Sequence, residues 1–483
     1  MIQLQKIQTL LQSLDQVAQK RLVDFVQSPY FNQNPRLLPL LQLLYEHIDQ
    51  PTPLRLSEET IYRTLYPASE PFKIQRIYDH LSFLTRLVER FFAVEQLEEI
   101  PLAERLLQLQ YLAEHDLWEA HRRIQRKSVP LQAKQKVQDS EAHLRHFQLL
   151  QARNQSFLAL GERRFDEALN QMDEQLTVFF LAQKLKNACE MLNRGNVVQG
   201  EYQSYLLPEI VQFIEAQPDY LQYPAVSIYY QLYLCLSEAH FEQSFAEFRS
   251  LLNRYATAFD QTELSGLYDY AQNICIKQIN SGDSTYLKIY FTLFQEMLAL
   301  ELMMEEGILD HRIYKNIITV GLRLSEFDWV ADFLHGYAER LSPAFREAAY
   351  HYNLAAYNHA RKAYSLAQRN LWKVELDDIY YQLGKRTLLL KIYYELGEED
   401  GLEAQIRAFR AYLRRNRKIS AYQQKAHAEL IRYTQKLSRL RNKKEGLSLK
   451  QFRHAIGTIE VDLKNRSLIT NRDWLLQQMK ELL

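Results

Sequence analysis

The chain has 483 residues, 59 basic and 59 acidic side chains, and 47% hydrophobic residues. That apolar content excludes a disordered chain, and a formal net charge of zero gives no global pull toward nucleic acid or an anionic surface. Glycine and proline number only 13 each, well below average usage of roughly 7% and 5%, so long helices joined by short turns are expected.

Residues 1–27 carry apolar side chains every three or four positions (Leu4, Ile7, Leu11, Leu14, Ala18, Leu22, Phe25), which predicts one amphipathic helix stopped by Ser28-Pro29. The glutamine-rich start lacks the long apolar core of a secretory signal. No apolar run reaches the roughly 18 residues of a spanning helix, and a cytoplasmic protein is expected. Asn34-Pro35 opens a second helix, with Asn34 as its cap, and Pro51 and Pro53 end it. Ser57 caps a short helix with Glu58 and Glu59 in its first turn. After Pro67 and Pro71 a long helix runs through Ile74, Ile77, Leu81, Leu84, Val88 and Phe91. The stretch 57–93 has the outline of a helix-turn-helix. Its second helix is apolar round much of its circumference, unlike a helix that reads DNA, so residues 1–100 are expected to form a helical cap.

Further on, Pro101 opens a helix, Asp116 caps the next, and Val129-Pro130 breaks the chain before a polar helix ending at Gly161. Leu117–Ala120 has the look of a degenerate repeat turn. Pro218 and Pro224 bracket a loop, and Gly282, Gly307 and Pro343 mark later turns. The acidic run Glu296–Asp310 is expected to be a solvated face. Cys189, Cys235 and Cys275 are odd in number, widely spaced and set in apolar helical patterns, which predicts buried thiols rather than disulfides.

Ala349–Leu371 resembles a tetratricopeptide repeat. Tyr352, Asn353, Leu354 and Ala355 stand at first-helix core positions, and Tyr364, Ala367 and Leu371 at second-helix positions; Asn358 departs from the usual tyrosine. Small Ala355 and Ala367 fit a close helix crossing. Leu389, Tyr393 and Gly397 open a related unit in which Leu390 and Leu402 replace small residues. Weaker echoes lie at Leu160–Leu169, His240–Phe248 and Ser325–Leu334. Turn markers Phe165, Tyr202, Phe241, Tyr286, Trp329, Tyr364 and Gly401 recur every 35 to 45 residues or so, a helix-pair period. Residues 101–415 are therefore expected to be a degenerate array, in which units stack because none buries its apolar face alone. The doublets Tyr229-Tyr230, Tyr380-Tyr381 and Tyr393-Tyr394 fit a broad buried stripe.

The segments SPYFNQNPRLLPLLQLL, IYDHLSFLTRLVERFF, LKNACEMLNR, YKNIITVGLRLSEFDWV and FRAYLRRNRKIS resemble an uncharacterised family of all-helical Bacteroidota proteins. The resemblance covers nearly the whole chain. It implies a bacterial cytoplasmic protein and carries over no functional residue.

Residues 416–483 are expected to hold a basic helix and closing helices, with Ser448 and Asn471 as caps; only Ile456–Val461 suggests a strand. Arg407–Lys444 contains thirteen Lys/Arg and one acid, Glu429, a local balance of +12. Arg414, Arg415, Arg417 and Lys418 form one cluster, and Arg439, Arg441, Lys443 and Lys444 another. These are the candidate partner-binding residues. Three roles stand open: a solvated helix that balances the acidic remainder, a surface for an acidic protein, or one for nucleic acid or anionic lipid.

No phosphate loop, dinucleotide fingerprint, zinc-protease motif or nucleophile elbow occurs. His143 and His146 lie three apart without further ligands, which fits surface histidines better than a metal site. His351 and His359 lie two turns apart in the central repeat. The expectation is an all-α, tetratricopeptide-like α-solenoid with helical caps at both ends. It is expected to act as a non-catalytic protein-interaction scaffold without cofactor or metal, the alternative being a nucleic-acid-binding protein that uses residues 407–444.

Overall fold

In a computed structural model, residues 2–48, 56–133, 136–197, 202–237, 241–375, 378–466 and 468–483 are described; the expected stops at Pro51 and Pro53, and His240, lie outside them. The described structure is helical almost throughout. It divides into two compact units, Met1–Phe259 and Asp260–Leu483, a boundary inside the stretch expected to be a single array. No described helix is long and apolar enough to cross a membrane.

The first unit begins with α1 (Ile2–Gln12), α2 (Gln16–Gln27), α3 (Leu37–Ile48), α4 (Glu58–Leu65) and α5 (Ile74–Glu99). Their apolar faces share one core running from Leu4 to Phe91. Residues 1–27 are two helices, not one: Asp15 accepts a hydrogen bond from the Ala18 amide and starts α2 afresh. Asn34 does not cap α3 directly. Its side chain accepts from the Arg36 amide in a turn before the helix. Ser57 caps α4 as expected.

There follow α6 (Pro101–Glu114), α7 (Trp118–Ala133), α8 (Ser140–Ala159), α9 (Ala168–Val197), α10 (Leu207–Ala216), α11 (Pro224–Leu236) and α12 (Phe241–Arg254). The pairs α6–α7, α8–α9 and α11–α12 pack together, and α9 also packs on α11. Pro130 does not break the chain but lies inside α7. A proline there removes one backbone hydrogen bond, to the carbonyl of Arg126, and both residues are exposed. Cys189 and Cys235 are buried in this unit and Cys275 in the other, all as free thiols.

The second unit comprises α13 (Gln261–Ser281), α14 (Thr285–Ala299), a hairpin of β1 (Met304–Glu305) and β2 (Ile308–Leu309), α15 (His311–Arg323), α16 (Phe327–Gly336), α17 (Arg346–Ala360), α18 (Tyr364–Trp372), α19 (Ile379–Leu396), α20 (Glu399–Arg415), α21 (Ala421–Asn442), α22 (Leu449–Lys464) and α23 (Arg472–Leu482). The acidic run expected as a plain solvated face thus contains an antiparallel hairpin pairing Met304 with Leu309. Its two-residue loop, Glu306-Gly307, has positive φ at both positions, the conformation that joins tight hairpins. The valine/isoleucine patch at Ile456–Val461 is helix, inside α22.

Pairs α13–α14, α15–α16, α17–α18 and α19–α20 pack together, and α15, α17, α19 and α21 each pack against the next in that order. A left-handed residue ends the first helix of each pair: Gly282, Ser325, Lys362 and Gly397, at intervals of 43, 37 and 35 residues. In the first unit Asp116 and Gly161 hold the same position in α6–α7 and α8–α9. Asp116 is therefore a turn residue and not the cap of α7. Ala355, Ala367 and Leu371 are fully buried in the α17–α18 pair. Close approach elsewhere requires glycine: a Cβ on Gly401 would fall 2.7 Å from the Tyr393 ring. Ser448 caps α22 through a reciprocal capping box. Asn471 stands at the start of α23 but is left-handed and makes no side-chain cap.

A cationic, aromatic cleft in the second unit

The stacking of α15, α17, α19 and α21 leaves a cleft of about 1040 Å³ between them and α23. Each helix contributes the residues that recur on one face. On α19 these are Tyr380, Gly384, Thr387, Lys391 and Glu395, spaced three or four apart. Gly384 makes room for Tyr352 of α17, because a Cβ there would fall 2.8 Å from Cζ of that ring and closer still to its hydroxyl.

At one end, Lys315 of α15 donates to the Tyr380 carbonyl at 3.0 Å. Its ammonium lies 4.9 Å from the Tyr352 ring centre and 5.0 Å from that of Tyr381, close enough for cation–π attraction. Burial pushes its pKa down to about 8 despite the carboxylate of Asp378. Tyr381 is buried, donates to the His311 carbonyl at 2.7 Å, and meets Tyr352 edge-on at 5.0 Å. Its neighbour Tyr380 is 53% exposed. Only one ring of that doublet belongs to the buried stripe.

At the other end stands Glu395, its side chain 11% exposed. His359 Nε2 of α17 lies 3.2 Å from one of its oxygens, and Trp474 Nε1 of α23 donates to the other. Burial alone would raise the Glu395 carboxyl, but the hydrogen bond and charge of His359, with hydrogen bonds from Trp474 and Tyr364, hold it below the ordinary value. Asp473, next to Trp474, pairs with Arg323 of α15 at 3.4 Å. His427 of α21 is pushed down to about 4 by burial and is neutral at physiological pH.

Between these ends, Lys391 is half-buried. Its ammonium lies 5.4 Å from the Trp474 ring centre and has no hydrogen-bond or ion-pair partner among the described residues. Burial lowers its pKa to about 8, against the opposing pull of Glu395 and Asp473. Lining cations (Lys315, Arg323, Lys362, Lys391, Arg472) outnumber lining carboxylates (Glu395, Asp473, Glu481) by two. Such a surface suits anionic groups carried beside apolar or aromatic ones.

The residues singled out for their charge lie elsewhere. Arg414 and Arg415 end α20, and Arg417 and Lys418 occupy the turn before α21. All four are exposed, and no carboxylate lies within ion-pair distance of them among the described residues. Arg439, Arg441, Lys443 and Lys444 sit at the far end of α21, about 30 Å away along a 22-residue helix. The two clusters therefore do not form one patch along α21. Arg441 donates to the Tyr394 carbonyl at 2.7 Å and covers that ring, and Lys444 donates to the Leu482 carbonyl at 3.1 Å. Arg441 thus holds α21 on α19, and Lys444 ties the chain after α21 to α23. Arg439 and Lys443 are exposed.

Of the histidines, His143 is buried rather than superficial, with Nδ1 2.7 Å from the Gln175 side-chain oxygen. No group of three or more metal-ligating side chains occurs among the described residues. His359 lines the cleft, whereas His351 faces Asn370 at 3.0 Å. Lys315, Lys391 and Glu395 were not singled out from the sequence. The available signal was a lone lysine inside an apolar helical stripe. Compared with family models, curated proteins and solved structures, the chain matches none.

Proposed function

We propose that the protein is a non-catalytic interaction scaffold of the bacterial cytoplasm, built as a tetratricopeptide-like α-solenoid of degenerate helix pairs, and that the second-unit cleft receives a segment of a partner protein. The observation that carries this reading is that the first helices of successive pairs, α15, α17 and α19, together with α21, line a single cleft. The left-handed turn residue recurring in the four pairs of the second unit supports the repeat. Stacked helix pairs present their inner helices as an extended binding surface; assigning that role to this chain is an argument from fold analogy.

The test is a blocked cleft. Thr319 is exposed and lines it. Thr319→Trp is expected to keep the helicity and melting temperature while losing the proteins captured by the wild type, and Glu403→Trp, exposed on α20 away from the cleft, is expected to keep them. Capture of the same proteins by both variants removes the cleft from the account.

Nucleic-acid binding is the second reading. The observation favouring it is the cluster of exposed cations at Arg414, Arg415, Arg417 and Lys418, without carboxylate partners among the described residues. It predicts nucleic acid co-purifying with the protein and binding that falls log-linearly with salt.

A further inference from the structure

Resting on that scaffold reading, we propose that the partner segment is an extended acidic peptide that lies along α19 and places one carboxylate on the ammonium of Lys391 and a second near Lys315.

The argument begins with the deficit at Lys391. A cation drawn partly out of water is destabilising unless an acceptor replaces the lost hydration, and none of the described residues supplies one. The two nearest acids are engaged elsewhere: Glu395 by His359, Trp474 and Tyr364, and Asp473 by Arg323. A carboxylate from outside the chain would form a charge-assisted hydrogen bond there. Lys315 has spent one of its donors on the Tyr380 carbonyl. An ammonium carries three, which leaves two for a ligand.

Charge selects the class of anion. Lining cations exceed carboxylates by two across the whole cleft, so two single charges balance it. A phosphate dianion at Lys391 alone would leave Lys315 unmatched and would meet twice the repulsion from Glu395 and Asp473 that a single carboxylate meets.

Spacing selects the form of the ligand. Tyr380, against which Lys315 is held, and Lys391 are eleven residues apart on α19, about 16 Å along the axis. An extended chain covers that in about five residues. The wall between them offers Tyr352, Leu383 and Leu388 to apolar side chains. The matching segment carries two acids about five positions apart with apolar residues between.

The probe is a synthetic peptide of about ten residues, acetylated, with two aspartates five positions apart around an apolar stretch. It is prepared as a C-terminal amide, as a free acid, and with both aspartates replaced by asparagine, and titrated into the full chain by calorimetry. The aspartate amide is expected to bind, and the asparagine form roughly tenfold or more weakly. Lys391→Met and Lys315→Met are each expected to weaken binding by a similar factor, and Arg414→Ser to leave it unchanged. Binding by the free acid alone, still lost in Lys391→Met, assigns the Lys391 carboxylate to a chain terminus and upholds the site. A melting temperature that is unchanged or raised in Lys391→Met separates lost binding from lost folding. Equal binding of the asparagine peptide, no binding of any form, or undiminished binding to Lys391→Met overturns the inference. If the acidic peptide fails while Thr319→Trp still loses its partners, this inference alone falls; if Thr319→Trp keeps them, the scaffold reading falls with it.

Discussion

Replacing Lys391 by methionine removes a charge from a half-apolar wall while keeping a side chain of similar length. Burial lowers the amine from the ordinary 10.5 to about 8, with the pull of Glu395 on its own helix and Asp473 on α23 already included. At about 1.4 kcal/mol per unit, that difference sets an upper limit near 3 kcal/mol; water reaching the half-buried group reduces it to about 2 kcal/mol. The folded state disfavours the proton and the unfolded state does not. The ammonium therefore costs stability in full below about pH 8, and the cost is relieved as pH rises from there toward 10.5. Lys391→Met is expected to gain about 2 kcal/mol at pH 7, in line with the replacement of other buried charges by apolar side chains. By pH 9.5 the gain should fall below half. Equilibrium urea unfolding of both proteins at the two pH values, followed by tryptophan emission, measures it, since Trp329, Trp372 and Trp474 all lie in the second unit. A loss of stability at pH 7, or a gain indifferent to pH, would refute the picture of a desolvated, unpartnered ammonium.

Gly384→Ala puts a methyl group against the buried Tyr352 ring and is expected to cost about 1–3 kcal/mol; an unchanged melting temperature would mean that the ring gives way freely. Cys189, Cys235 and Cys275 are buried, and burial raises the Cys235 thiol to about 12. A thiol reagent should thus label the native protein slowly and all three on unfolding, whereas immediate titration of two would contradict their burial. Reversal of Arg414, Arg415, Arg417 and Lys418 to glutamate should preserve helicity. It should cost about 0.3–1 kcal/mol for each of the two residues in the last turn of α20, and any partner held by these charges should be lost. Unchanged partners with an unchanged melt would remove the cluster from the functional account.

What was legible in the sequence is what depends on neighbours along the chain. The α17–α18 pair was marked by its resemblance to a tetratricopeptide repeat, and Tyr352, Ala355, Ala367 and Leu371 are indeed buried. Ser57, Ser448 and Gly397 declared their helix ends because a cap or a left-handed turn acts within a few residues. Asp116 misled because aspartate serves both as a cap and as a left-handed turn residue, and the choice is made by how the next helix packs back. Pro130 misled because a helix can lose one backbone hydrogen bond at an exposed position without ending there. The Glu306-Gly307 hairpin had a readable turn signal, masked by the acidity of its surroundings. The cleft was not legible. Lys315, Lys391 and Trp474 are far apart in sequence and meet only through the stacking of helix pairs, and a count of charges marks the exposed cations of α20 and α21 rather than the two removed from water.

The central claim is that a partner protein lies in the second-unit cleft, and site-specific photo-crosslinking in cells tests it most directly. A crosslinking residue at Thr319 on α15 or Gln477 on α23, both exposed and both lining the cleft, is predicted to capture the same partner, and one at Glu403 on α20 to capture none. Capture of that partner from Glu403 as efficiently as from the cleft, or no capture from Thr319 and Gln477, would contradict the claim.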